Sequence, residues 1–156
     1  MIDRLLRLFT SERGGALVEL ALTLPLLVLI LGGTIDFARV FYTSIALSNA
    51  ARAGAQYGAY NIGQSGNTAT MQSTAVASIA PNTGVTAAAS RTCQCATNAG
   101  SFGASVACTT TCSSGQHLVV TVTVQASKTF NTVMSAIPGV PNTVSLTRSA
   151  TLRVPN

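Results

Sequence analysis

The stretch that decides the fold is SERGGALVELALTLPLLVLILGG, Ser11–Gly33. From Ala16 to Ile35 the chain runs twenty residues with a single charge, Glu19. At about 1.5 Å rise per residue, such a run crosses the ~30 Å hydrocarbon core of a bilayer. A core helix of a soluble protein rarely stays apolar on every face for this long. Pro25 does not veto the helix, because kinks are tolerated in membrane spans. The run therefore reads as a transmembrane helix, and Glu19 near its start needs a physical account.

Working outward toward the C-terminus, the helical pattern continues past the lipid boundary. Phe37, Val40, Phe41, Ile45, Leu47, Ala51 and Ala55 fall on one side of a wheel, with Asp36, Arg39, Thr43, Asn49 and Gln56 elsewhere. Asp36 and Arg39 also have the i,i+3 spacing of a helical ion pair. The expectation is one continuous helix over 15–57, transmembrane over about 16–36 and then an amphipathic stem.

Residues 58–156 change character. GAYNIGQSGN (58–67) is a loop of glycines and turn residues. Thr68–Pro81 reads as a short helix stopped by Pro81, with Met71, Val76, Ile79 and Ala80 as its apolar side. Val85–Thr92 reads as a strand. HLVVTVTVQA (His117–Ala126) alternates Val with Thr and reads as a strand, as does Thr143–Val154. The segment TFNTVMSAIPGVPN between them reads as a connection with one helical turn at most. The fold class is α+β: a long N-terminal helix packed on a small antiparallel sheet, whose valine face the stem would cover.

Composition limits what the second half does. Charged residues make up 8% of the 156-residue chain, whose mean hydropathy is +0.44; about 25% charged is usual for soluble domains. All four acids, Asp3, Glu12, Glu19 and Asp36, precede Phe37. Arg39, Arg52, Arg91, Lys128, Arg148 and Arg153 follow, spread out and without the interleaved aromatics of a nucleic-acid platform. No nucleic-acid partner is expected. Catalysis is not expected either. The single histidine, His117, has no carboxylate in its own region to orient it, and no phosphate-binding glycine loop is present. No cofactor and no catalytic residue is assigned.

Cys93, Cys95, Cys108 and Cys112 all lie in the C-terminal region. An even set in a sparsely packed domain points to two disulfides formed in an oxidising space. A bond within Cys93-Gln94-Cys95 would be strained. The expectation is that this pair bonds across to Cys108 and Cys112, clasping ATNAGSFGASVA. The competing reading, one zinc held by four thiolates, departs from the usual C-x2-C spacing.

Toward the N-terminus, MIDRLLRLFTSERG (1–14) carries Arg4, Arg7 and Arg13, a basic segment ahead of an apolar run. The helix continues through LILGGTID, so the apolar run is expected to be retained. A cut between Gly14 and Gly15 would create an α-amine four residues before Glu19. A carboxylate in lipid costs at least ~2.5–3.5 kcal/mol, so it needs a partner. That amine, on the same chain or a neighbour, is one; snorkelling to the headgroups toward Arg13 or Arg7 is the other.

The Gly14–Glu19 segment GGALVE resembles a class III prepilin processing site. Arg13–Gly58 as a whole, with its Glu–apolar–Leu-Pro-Leu run, DFARVFY and NAARAGAQYG, closely resembles the TadE-like family, with TadF-like proteins sharing the same N-terminus. Leu20 stands where these prepilins usually carry an aromatic, and Gly15 where alanine is commoner. The resemblance implies a type IV pilin-like layout and a minor pilin or pseudopilin of the tight-adherence (Tad, Flp-type) pilus system. It implies residues 1–14 as a cytoplasmic leader removed by a prepilin peptidase, with Gly14 and Gly15 as the processing site and Glu19 acting in assembly. The partners implied are membrane lipid, the peptidase, other pilins and the assembly machinery. Residues 58–156 would be periplasmic or otherwise extracytoplasmic, anchored in the inner membrane, and surface adherence would be the outcome. The alternative is an uncleaved single-pass anchor presenting an extracytoplasmic binding domain.

Overall fold

The computed structural model describes residues 12–81, 84–133 and 139–155. Most of the expected leader and the centre of the 129–142 connection lie outside the described residues. Helix α1 spans Glu12–Ala59, α2 Ile62–Ser65 and α3 Thr68–Ala77. Strands β1 (Val85–Thr97), β2 (Phe102–Val106), β3 (Gln116–Asn131) and β4 (Thr143–Arg153) follow. The chain divides into two units, one comprising residues 1–39 with 132–142, the other residues 40–131 with 143–156.

The larger unit is the α+β body. Its sheet has the order β2-β1-β3-β4, with every neighbouring pair antiparallel. β1 and β3 pair without a shift from Val85↔Lys128 to Thr97↔Gln116. Alternation puts Val120, Val122, Val124 and Ala126 of β3 on one face, all buried. Against them pack the stem residues Leu47, Ala50, Ala51 and Ala55 and the α3 residues Met71 and Ala75. The two short helices begin on asparagine caps. Asn61 Oδ1 accepts from the Gln64 N–H at 2.8 Å, and Asn67 Oδ1 from the Thr70 N–H at 3.1 Å.

The buried face of the stem overlaps the one the wheel selected but is rotated from it. Leu47, Ala51 and Ala55 are buried as expected, but Phe41 and Ile45 are exposed, as is Phe37. Phe41 and the buried Ala50 are nine residues apart, which at about 100° per residue is opposite sides of the helix. The buried stripe is Leu47, Ala50, Ala51, Gly54, Ala55 and Gly58. Small side chains win because α3 and β3 both press on this face. A Cβ at Gly54 would lie 2.6 Å from the Met71 carbonyl oxygen and 3.1 Å from Val124 Cγ1.

Other boundaries move for similar reasons. β1 extends five residues beyond Thr92, because β3 offers it an unbroken ladder through Thr97. β3 runs to Asn131 rather than ending at Ala126, since β4 pairs with it from Thr121↔Arg153 to Asn131↔Thr143. The segment read as a clasped loop contains β2, which pairs Cys93↔Val106 and Gln94↔Ser105 before a register shift. α3 ends at Ala77, ahead of Pro81. The loop at 58–67 contains the single turn α2.

Candidate functional site

The segment that carries the candidate chemistry is the first half of α1. Leu, Val and Ile dominate it, and they are exposed all round: Leu17, Leu22, Leu26 and Leu31 lie between 61% and 75% exposed. A helix this apolar and this bare in the protein itself is long and apolar enough to cross a membrane. Its hydroxyls are satisfied internally. Thr23 Oγ1 donates to the Glu19 carbonyl at 3.0 Å, and Thr34 Oγ1 to the Ile30 carbonyl at 2.7 Å. The helix runs through Pro25 without interruption.

Gly14 and Gly15 lie in the first turn of α1, and a Cβ at Gly15 would meet nothing within 4 Å. Each glycine weakens a helix by roughly 1 kcal/mol relative to alanine. Two in succession weaken this turn, as Gly32 and Gly33 do farther along the same helix. Glu19 is exposed one turn farther in. Gly14, Gly15 and Glu19 thus lie within two turns of one helical segment.

Asp36 ends the apolar run. Both its carboxylate oxygens accept from the Val133 N–H, at 2.9 and 3.0 Å, and Arg39 Nη1 stands 3.8 Å from Oδ1. The i,i+3 pair was legible in the sequence. The Val133 contact was not, because 97 residues separate the partners and no motif marks them. In the same unit Thr132 Oγ1 donates to the Pro141 carbonyl at 2.7 Å, and its N–H to the Asn142 carbonyl at 3.1 Å. Asp36 therefore ties the connection after β3 to the helix where the apolar run stops.

The four cysteines form two bridges, Cys93–Cys108 and Cys95–Cys112. This is the crosswise arrangement, and of its two versions it is the one joining Cys93 to the nearer partner. Cys93 is buried in the cluster formed by Val120, Val122 and Met71. The bridges tie the segment after β2 to β1. With each sulfur bonded to another sulfur, a four-thiolate zinc site has no ligands to draw on. His117 Nε2 lies 3.2 Å from Arg153 Nη2, on the exposed surface.

Residues 14–56 match the family model described as TadE-like protein. The match covers the membrane-type helix and most of the stem, and it is the family that the motifs of Arg13–Gly58 resemble. Searches among curated proteins and solved structures returned no significant match.

Proposed function

We propose that this chain is a minor pilin or pseudopilin that enters a Tad-type pilus assembly through its N-terminal helix. The observation that carries the reading is the bare apolar helix with Gly14-Gly15 and Glu19 on its first turns, matched by the TadE-like model over residues 14–56. In this account a prepilin peptidase cuts after Gly14 at the cytoplasmic face. The apolar run stays in the inner membrane with its N-terminus inside, and the disulfide-bonded domain lies on the extracytoplasmic side, where thiols oxidise. Surface adherence follows from the finished pilus.

Glu19 has a defined task in this scheme. Cleavage leaves an α-ammonium on Gly15, and a carboxylate in lipid is stabilised by a cation within reach. When helices pack side by side, the ammonium of one chain meets Glu19 of its neighbour, and the pair fixes their axial register. Glu19→Gln removes the charge but keeps the shape. The expected result is normal membrane insertion with at least a tenfold loss of cross-linking between the N-terminal helices of neighbouring subunits, equivalent to about 1.4 kcal/mol per contact. Cross-linking as efficient as in the parent would reject the ion-pair account.

A further inference from the structure

The sheet has an open edge, and its chemistry specifies what docks there. Among the described residues β4 has one neighbour in the sheet, β3, and holds register with it without a shift. The Val154 N–H donates to the Val120 carbonyl at 2.8 Å. Antiparallel ladders alternate, so the even-numbered residues of β4 turn their backbone groups to β3. Thr143, Ser145, Thr147, Ser149, Thr151 and Arg153 turn theirs outward. No proline interrupts the strand. An edge of this length is a template for a further strand.

Beside that edge runs a groove of about 460 Å³ in which Arg52 and Gln56 of the stem face Ser149–Leu152. Arg52 is exposed and forms no ion pair among the described residues. Arg148 stands at the same edge. Its Nε donates to Ser44 Oγ at 2.8 Å and its Nη1 to the Thr147 carbonyl at 3.0 Å. Two guanidinium groups thus flank the edge, and Arg148 is held there by neutral acceptors. The Thr147 carbonyl, one of the outward groups, is covered by Arg148, which discourages pairing with a neutral strand.

The charge pattern decides the partner. No Asp or Glu follows Asp36, whereas six bases do. A second copy of this domain would bring the same unbalanced excess. Its Asp36 is engaged by the Val133 N–H and its Glu19 belongs to the apolar helix. We infer that the β4 edge and its groove dock an extended, carboxylate-bearing segment of a different chain, which adds to the sheet as a fifth strand. Main-chain hydrogen bonds to the outward groups supply affinity. A carboxylate seated between Arg52 and Arg148 draws the latter off the Thr147 carbonyl and makes the edge selective. The inference deepens the assembly reading and rests on it only for the source of the partner.

The test places a photo-cross-linking residue, p-benzoylphenylalanine, at position 151 of the full-length chain in its native membrane. The expected product is an adduct with a different protein, whose linked peptide, sequenced by mass spectrometry, carries Asp or Glu beside the attachment point. Its yield should fall at least tenfold in Arg52→Glu and in Ser149→Pro. Proline at 149 removes an outward N–H that only a docked strand would use, and it leaves the ladder to β3 complete. Arg52→Glu changes an exposed helix position and so tests the charge without disturbing the sheet. An adduct between two copies, a linked peptide without a carboxylate, a yield unaffected by Arg52→Glu, or no adduct would each overturn the proposal. The N-terminus of the same sample is read in parallel. A chain starting at Met1 with the adduct intact overturns the pilin reading and leaves the docking edge standing.

Discussion

Gly54→Ala should lower the unfolding temperature of the detergent-solubilised protein by roughly 10 °C, and Gly54→Leu should prevent the domain from accumulating. Two effects oppose each other. Alanine is a better helix former than glycine by about 1 kcal/mol, which favours the substitution. The new Cβ, however, would lie 2.6 Å from the Met71 carbonyl oxygen, a backbone atom that moves only if α3 moves. It would also meet Ala75 Cβ at 3.0 Å and Val124 Cγ1 at 3.1 Å. Overpacking of this kind costs about 1–3 kcal/mol even for one added group, and close contacts on three sides put Gly54 at the upper end. The net loss of about 2 kcal/mol converts to the stated shift for a domain of this size. Gly33 provides the control. Nothing lies within 4 Å of a Cβ there, so Gly33→Ala meets no opposing clash and should not lower the unfolding temperature. If Gly54→Ala unfolded no earlier than the parent, the close approach of α3 to the stem would be wrong.

Reduction should have an effect of similar size. The bridges close loops of sequence separation 15 and 17, each stabilising by about 3 kcal/mol in the chain-entropy account. The loops overlap along the chain, so the two contributions add to less than their sum. Cys95→Ala with Cys112→Ala should cost about 3 kcal/mol. Cys93→Ala with Cys108→Ala should cost more, because Cys93 also fills space against Val120 and Val122. Alkylation followed by mass measurement provides the check. Native protein should show no reactive thiol among the four cysteines, and under mild reductant Cys95 and Cys112, both half-buried, should label before Cys93. Two or more reactive thiols in untreated protein would contradict the paired sulfurs.

The parts of the fold that were legible in the sequence are those whose signal is local. Ala16–Ile35 is apolar on every face, and no tertiary context is needed to recognise a helix that lipid would accept. The Val-Thr alternation of 117–126 marks one buried and one exposed face in a single glance. The crosswise cysteines follow from the strain of a bond across one residue. What stayed hidden depended on partners far along the chain. Which stripe of the stem is buried is decided by α3 and β3, and they select small residues over the more apolar Phe41 and Ile45. The last five residues of β1, Cys-Gln-Cys-Ala-Thr, carry little apolar alternation of their own, and they are held by the ladder to β3. β2 lies inside glycine-rich sequence that reads as a loop, and it exists because β1 offers it an edge. The apolar run was legible because a bilayer reads a linear feature. The Val133 contact of Asp36 was not, for the same reason that the stem face was not.

The assembly reading rests on a finished chain that keeps its apolar helix and begins with a new amine close to Glu19. The most direct test is N-terminal mass analysis of the protein recovered from its own membrane. A terminal peptide beginning at Gly15, with Glu19 as its fifth residue, is the predicted result. A chain that begins at Met1 in otherwise unaltered cells, or one cut beyond Gly33 so that the apolar run is lost, would contradict it.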